Sequence, residues 1–259
     1  MANKYYDILR APHQVAFDIT NNCNLRCLHC FNSSGENDVI SNELSDGEVL
    51  HFIEDLASMN LYNVCFCGGE TLLRKELMCE CIKILKPSGS HCTAVTNGLL
   101  ANPATIQQLA SAGLDGIQFS LDGLRDSHER LRNKVGIFPK VIDAMKYVLN
   151  ETGLRLSIAF TPTSFNVKDF LGVYDLLVDL YEKSNRTTGS DYIDFRLQPL
   201  MLLGRAKDNP NIVPSDAQYR WLVQNINEVN LTGKCHPCID VKWGDPIDHL
   251  VRFRDTNYF

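Results

Sequence analysis

The sequence has no apolar run long enough to cross a membrane, and its first residues do not lead into the apolar core of a signal peptide. It also lacks a surplus of positive charge: 25 Lys and Arg stand against 31 Asp and Glu, which gives a net charge of -6. Nucleic-acid binding usually shows as a basic surplus. There is no internal repeat and no low-complexity segment. We therefore expect a cytoplasmic globular protein with no membrane and no nucleic-acid partner.

Cysteine, in contrast, is abundant, with 10 residues in a chain of 259. A secreted disulfide scaffold would be much shorter, and in a cytosolic chain of this length clustered cysteines more often bind metal or do chemistry. Only two groups have the spacing of ligands. Cys23, Cys27 and Cys30 form C-x3-C-x2-C, and Cys235 and Cys238 form a late C-x2-C. These two groups are the candidate metal sites.

Short runs of β-branched and aromatic residues alternate with segments of helical periodicity and predict six strand–helix units. Such alternation implies parallel strands joined by right-handed helical crossovers, since a tight turn cannot join parallel neighbours. We therefore predict an α/β fold, a partial (βα)6 TIM-like barrel. The predicted strands span residues 14–20, 61–67, 91–96, 115–121, 154–161 and 192–198, and the predicted helices 46–59, 73–85, 103–112, 138–150, 167–180 and 215–229.

Two regions follow from this pattern. Residues 1–205 are assigned to the barrel core, and residues 206–259 to a C-terminal helix and a short cysteine-containing extension. The conformation of the chain after Gly233 is left unassigned.

In sheets of this kind the active-site residues gather at the C-terminal ends of the strands. The three-cysteine loop follows the first predicted strand, Gly68-Gly69-Glu70 follows the second, and Ser120-Leu-Asp122-Gly123 follows the fourth. Because parallel strands end at the same edge, the sequence predicts one shared site there.

Three closely spaced thiols can hold one iron–sulfur cluster, since thiolates are the ligands that such clusters use. A cluster of four irons needs four ligands, so three cysteines leave one iron open to bind a small molecule. The alternatives are a zinc site or buried thiols. A zinc site would want a fourth Cys or His at its own typical spacing, and only His29, inside the motif, is close.

The three-cysteine loop, joined to Gly68-Gly69-Glu70 after the second strand, resembles the radical S-adenosylmethionine (radical SAM) enzymes. Further matches are Ser120-Leu-Asp122-Gly123, residues 128–132 and the stretch 200–206, so that the resemblance spans residues 14–205. With a cysteine-containing tail, the combination is similar to the SPASM or twitch subgroup of peptide maturases.

The resemblance implies that Cys23, Cys27 and Cys30 hold a [4Fe-4S] cluster whose open iron binds S-adenosylmethionine. An electron from an external donor, a flavodoxin or ferredoxin, would then cleave that cofactor to methionine and a 5'-deoxyadenosyl radical. The family also implies cofactor contacts from Gly68, Gly69, Glu70 (methionine ammonium), Ser120 and Asp122 (ribose hydroxyls), Arg132 (carboxylate) and His29 (adenine).

Each of these residues also has a plainer interpretation. The Gly-Gly-Glu sequence also suits a turn before a helix, Asp122-Gly123 also suits a turn, and Arg132 also suits the surface of a loop. His29 would equally suit a solvated loop. Cys65 and Cys67 share one face of a strand, where two small buried hydrophobes or a catalytic thiol would explain them.

Two ligands cannot close a cluster, so Cys235 and Cys238 leave the tail open to several interpretations. The pair belongs to an auxiliary iron–sulfur cluster completed from elsewhere, or to a truncated extension, or it binds zinc or nothing.

The resemblance leaves the substrate open. Family members with this N-terminal pattern mostly modify ribosomally made precursor peptides. Because few residues precede the first strand, we expect a separate leader-recognition protein, as in the two-component maturases that include the spliceases. The alternatives are a radical SAM enzyme of haem or other cofactor biosynthesis acting on a small molecule, and a non-catalytic metal-binding scaffold. No catalytic acid, base or hydrogen donor is assigned.

Overall fold

The computed structural model describes residues 12–36, 42–186, 193–231 and 236–243. Seven strands form one parallel sheet, and their spatial order is their order in the chain. A sheet built in this way winds in one direction, and β1 and β7 are its two edges. The strands are β1 Gln14–Thr20, β2 Asn63–Gly68, β3 His91–Thr96, β4 Gly116–Ser120, β5 Arg155–Phe160, β6 Ile193–Leu197 and β7 Ile239–Trp243.

Helices connect the strands. Ser45 caps the first helix in a capping box with Glu48, and Gly113, with φ 101°, ends the third. None of the described helices is long and apolar enough to cross a membrane. The helices are α1 Asp46–Ser58, α2 Lys75–Leu85, α3 Pro103–Ala112, α4 Arg125–Arg132, α5 Ile137–Glu151, α6 Phe170–Glu182 and α7 Asp216–Leu231, with 3-10 turns at Thr71–Arg74, Lys86–Ser88, Val167–Asp169, Gly204–Asp208 and Pro210–Ile212.

The predicted α/β partial barrel is confirmed, and the structure adds two elements to it. One is β7, which pairs in parallel with β6 through Ile193 and Ile239. It comes from the region assigned to the extension, so part of that region continues the sheet. The boundary at residue 205 stays a prediction. The other added element is α4, for which the sequence pattern predicts no conformation.

The two faces of the sheet differ in chemistry. Alternate strand positions, such as Phe66, Phe119 and Phe195, are fully buried against the helices and form the core. The positions between them point the other way, because successive side chains on a strand face opposite sides. We call this second set the inner face; it includes Asp18, Cys65, Cys67, Thr93, Gln118 and Arg196, which are exposed or half-buried. Polar and small side chains thus line the concave side of the barrel.

Candidate active site

Arg26 holds the backbone of the three-cysteine loop, residues 21–36, from inside the motif. Its Nη1 donates to the carbonyl oxygens of Cys23 and Leu25, at 2.9 Å each. Its Nε lies 3.7 Å from Oε1 of Glu36 at the far end of the loop. The loop conformation is therefore held by hydrogen bonds to carbonyl oxygens, and the thiols are not needed for them.

Arg205, which follows β6, holds the same loop through other carbonyl oxygens. Its Nε donates to the carbonyl oxygen of Cys27 at 3.1 Å, and its Nη1 to that of Ser34 at 3.1 Å. Nη1 also lies 2.7 Å from Oε1 of Glu36. Sequence reasoning missed both arginines. The available signals were an arginine between two motif cysteines and the position of Arg205 in the matched stretch 200–206.

Gly68 and Gly69 bring the end of β2 against the backbone of the loop. Gly68 has φ +123°, and a Cβ added there would lie 2.2 Å from the carbonyl oxygen of Thr20. A Cβ on Gly69 would lie 2.2 Å from the carbonyl oxygen of Asn22. The glycines are therefore required by backbone packing. Their predicted contact with S-adenosylmethionine stays a prediction.

We expect Gly69→Ala to displace the loop and destabilise the fold, because its Cβ would overlap the backbone, which cannot rotate away. A loss of about 2 kcal/mol or more is in the range for overpacking and backbone strain. The matched control is Gly47→Ala in the first turn of α1, where nothing lies within 4 Å of the added Cβ. That change should be neutral or stabilising. Thermal melting of both variants measures the difference, and equal melting temperatures would contradict the packing argument.

Glu70 is a buried carboxylate that ties β2 to β3. Its Oε1 accepts from Thr96 Oγ1 at 2.6 Å and from the Leu72 N–H at 3.1 Å, and its Oε2 accepts from the Asn97 N–H at 2.8 Å. Burial raises its pKa, and these hydrogen bonds oppose that rise. The contact of Glu70 with the methionine ammonium remains a prediction.

A buried ion pair links the end of β4 to the three-cysteine loop. Arg132 Nη2 lies 2.6 Å from Oδ2 of Asp122, and the two side chains are 11% and 0% exposed. Arg132 Nη1 lies 3.8 Å from Sγ of Cys27. Asp122 Oδ1 accepts from the Thr161 N–H at 3.0 Å. Burial is the largest single influence and favours the neutral acid, but the Arg132 guanidinium and smaller contributions from other polar neighbours together outweigh it and lower the pKa of Asp122.

This pair bears on the predicted roles of three residues. The surface interpretation of Arg132 is wrong, because its guanidinium is buried between a carboxylate and a motif thiol. Both carboxylate oxygens of Asp122 already contact protein groups, Arg132 and the Thr161 N–H. Ser120, at the end of β4, is 9% exposed. Their contacts with ribose, and that of Arg132 with the carboxylate, stay predictions.

Two neutral histidines complete this cluster of side chains. His29 is 9% exposed and its Nε2 lies 3.4 Å from Oδ2 of Asp122, so the solvated interpretation is wrong. Burial lowers its pKa to about 4. His128 Nδ1 accepts from the Asp122 N–H at 3.1 Å, and burial lowers its pKa to about 3. Both rings are therefore uncharged at neutral pH, and Arg132 supplies the positive charge.

The motif thiols fit a cluster by their chemistry and surroundings. Cys27 is buried, while Cys23 and Cys30 are half-buried, and all three are free. Burial raises the pKa of Cys27 to about 11, and Arg132 opposes that rise. Among the described residues no three His, Cys, Asp or Glu side chains converge on one ion position. A cluster does not need that convergence, because each thiolate would bind a different iron.

Several buried nitrogens around the loop have no hydrogen-bond partner within the protein. They are Asn24 Nδ2, His29 Nδ1, His128 Nε2 and Arg132 Nε. Buried polar atoms are normally satisfied, so unpaired nitrogens beside three free thiols fit a bound polar group. Of the late pair, Cys238 is a buried free thiol, and Cys235 lies outside the described residues.

Comparison with known proteins agrees with this geometry. The family model described as the Radical SAM superfamily matches residues 17–177. That range contains the three-cysteine loop, Gly68-Gly69-Glu70, the Asp122–Arg132 pair, the second half of β1 and all of β2 to β5.

The names of the curated relatives refer to different kinds of compound. Fe-coproporphyrin III synthase of Methanosarcina barkeri is 32% identical over 163 residues, 63% of this chain and 40% of that protein. Mycofactocin maturase MftC of Mycolicibacterium smegmatis is 30% identical over 234 residues, 87% of this chain and 55% of that protein. The chain thus spans about half the length of these relatives.

Among solved structures, SuiB of Streptococcus suis bound to S-adenosylmethionine has a TM-score of 0.68 and 18% sequence identity. The match covers 90% of this chain and 50% of SuiB. At this identity the likeness concerns the fold alone.

Proposed function

The chain belongs to the radical SAM superfamily, and from that premise we propose that it modifies a ribosomally made precursor peptide. Cys23, Cys27 and Cys30 would hold the [4Fe-4S] cluster. When bound, the cluster supplies the single electron that cleaves S-adenosylmethionine, and it would take that electron from a flavodoxin or ferredoxin.

The chain's own residues serve this chemistry by positioning and charge. Arg26 and Arg205 fix the carbonyl oxygens of the loop, so that the thiols are presented before a cluster binds. Arg132 places a buried positive charge 3.8 Å from the Cys27 sulfur, where it favours the thiolate that a cluster needs. Gly68 and Gly69 keep the end of β2 in contact with the loop.

The polar inner face is the observation that carries the peptide proposal. Among the described strand residues, His91 is the only aromatic side chain on that face, and Asp18, Gln118 and Arg196 lie there. Small and polar side chains suit a peptide, whose backbone and side chains need hydrogen-bond partners. The name of the relative MftC, a maturase that matches 87% of this chain, supports the same class.

A small-molecule reaction of haem biosynthesis is the second candidate, because Fe-coproporphyrin III synthase is 32% identical over 63% of the chain. A tetrapyrrole is broad, flat and apolar apart from its carboxylates. Binding sites for such molecules are lined mostly by apolar and aromatic side chains. The inner face of the described strands does not supply that lining, and this favours the peptide.

The test uses the protein reconstituted with iron and sulfide without oxygen, reduced, and given S-adenosylmethionine. A candidate peptide, sought among short reading frames beside the gene, and an iron-tetrapyrrole precursor of Fe-coproporphyrin III are offered separately, since a synthase forms the compound in its name. We expect 5'-deoxyadenosine in both samples and a mass change on the peptide alone. A mass change on the tetrapyrrole precursor alone would favour the second candidate, and no 5'-deoxyadenosine in any sample would favour the non-catalytic scaffold.

The same preparation tests two further parts of the proposal, the auxiliary cluster and the leader-recognition protein. Iron above four per chain, lost on Cys238→Ala, would support an auxiliary cluster at Cys235 and Cys238. A separate leader-recognition protein is also part of the proposal. Tight binding of the precursor peptide by the purified chain alone would contradict it.

A further inference from the structure

Two thiols on the inner face lie against each other and have no part in the chemistry described above. Cys65 and Cys67 alternate on β2 with Val64 and Phe66, which are fully buried on the helix side. Both thiols therefore project to the inner face, where they are half-buried. Their Sγ atoms are 3.4 Å apart. A disulfide bond, at about 2.05 Å, requires them to approach by roughly 1.4 Å.

The surroundings of the pair shift the pKa values of the two thiols in opposite directions. A hydrogen bond from the Cys67 thiol is the main reason that the pKa of Cys65 is lowered, to about 6, and Thr93 and Arg196 lower it further. The pKa of Cys67 is raised, because it is the donor and because it is buried. Asp18 pairs with Cys67 in the strand register, and its charge acts in the same direction. One thiolate beside one thiol is the pairing that thiol–disulfide exchange uses.

The chain contains a second C-x-C sequence that behaves differently. Cys79 and Cys81 lie on α2, and residues two apart on a helix do not face each other. Both are buried, and burial raises the pKa of Cys81 to about 12. The same spacing thus gives a facing pair on a strand and two separate thiols on a helix.

We propose that Cys65 and Cys67 are a redox-active dithiol that reacts with a thiol- or disulfide-bearing molecule in the barrel. The Cys65 thiolate attacks a disulfide RSSR, forming a mixed disulfide and releasing one RS⁻. Cys67 loses its proton and attacks the Cys65 sulfur, which releases the second RS⁻. Two protein thiols and RSSR thus become one protein disulfide and two RSH, and a dithiol reverses the reaction.

Strand geometry makes this disulfide easy to reduce. Residues two apart on a strand have Cα atoms about 6.6 Å apart, near the upper end of the range that disulfides span. Strained disulfides have the more oxidising potentials of the labile and catalytic class. The pair is therefore suited to repeated oxidation and reduction, and it does not serve to cross-link the fold.

The experiment equilibrates the cluster-loaded protein without oxygen in buffers of graded oxidised-to-reduced glutathione ratio. The samples are quenched in acid, unfolded and alkylated, and mass spectrometry reads each cysteine. We expect Cys65 and Cys67 to lose alkylation together and to form one internal disulfide. The ratio of oxidised to reduced Cys65–Cys67 pairs should follow a two-electron curve against the potential of the buffer. A tenfold change in that ratio then corresponds to about 30 mV. Cys79 and Cys81 are the internal control and should be alkylated throughout.

A single-cysteine substitution distinguishes the attacking thiol, Cys65, from the resolving thiol, Cys67. In Cys67→Ser the exchange cannot finish, so Cys65 should accumulate as a stable glutathione adduct. The proposal is overturned if Cys65 and Cys67 stay alkylated at 100-fold excess of oxidised glutathione, or if Cys79 and Cys81 oxidise in parallel. No S-adenosylmethionine is present, so the outcome is independent of whether the protein cleaves that cofactor.

Discussion

Replacing Cys27 by alanine should remove the cluster and the cleavage of S-adenosylmethionine together. Cys27 is the buried member of the three motif thiols and the one that contacts Arg132, at 3.8 Å. Loss of residues that merely orient metal ligands already costs 10- to 100-fold in metal affinity. Loss of a ligand should cost at least about 100-fold. Iron content, the visible absorption of the cluster and 5'-deoxyadenosine release measure the effect.

The matched control is Cys92→Ala, which removes another buried thiol, on the helix side of β3. That change leaves a small cavity and should cost about 1 kcal/mol of stability with iron content unchanged. A Cys27→Ala protein that keeps full iron and releases 5'-deoxyadenosine would show that other residues hold the cluster. Equal iron loss in both variants would instead indicate general unfolding.

Much of the fold is predictable because apolar periodicity is strong where elements pack into the core. The helix α1 is an example: Val49, Ile53 and Leu56 are buried at helical spacing, and its N-terminal signal is a capping box. In contrast, α4 buries only His128 and Leu131, so its sequence carries no apolar stripe. The strand β7 is five residues long and is stabilised by pairing with β6, which local sequence does not show.

In the candidate site, too, features with a local sequence signal are predictable and features that depend on long-range contacts are not. The three cysteines are visible because ligand spacing lies within one short segment. Arg205 contacts two loop residues that precede it by 171 and 178 positions in the chain. No local sequence pattern indicates contacts between residues so far apart in the chain. The pairing of Asp122 with Arg132 was missed for another reason. The resemblance predicts both residues as cofactor contacts, which stays a prediction, and gives no sign that each is the counter-ion of the other.

That counter-ion relation predicts a large loss of stability for Asp122→Asn. The asparagine leaves the Arg132 guanidinium buried without a negative partner, and breaking a buried pair from one side typically costs about 3–5 kcal/mol. Arg132→Met should be destabilising for the converse reason. In the double variant no buried charge remains unpaired, so its loss should be smaller than the sum of the two single losses. Chemical denaturation of the four proteins, all loaded with cluster, gives the coupling free energy.

The pH dependence supplies a second measurement of the same pair. The pKa of Asp122 is lowered in the folded protein, so the pair stabilises above the unfolded value near 4. That contribution is lost as the pH falls through the lower, folded pKa. Below about pH 4 the free energy of unfolding should therefore fall more steeply for the wild type than for Asp122→Asn. Parallel curves, together with additive single losses, would mean that Arg132 is compensated by other groups, with the Cys27 sulfur as the first to test.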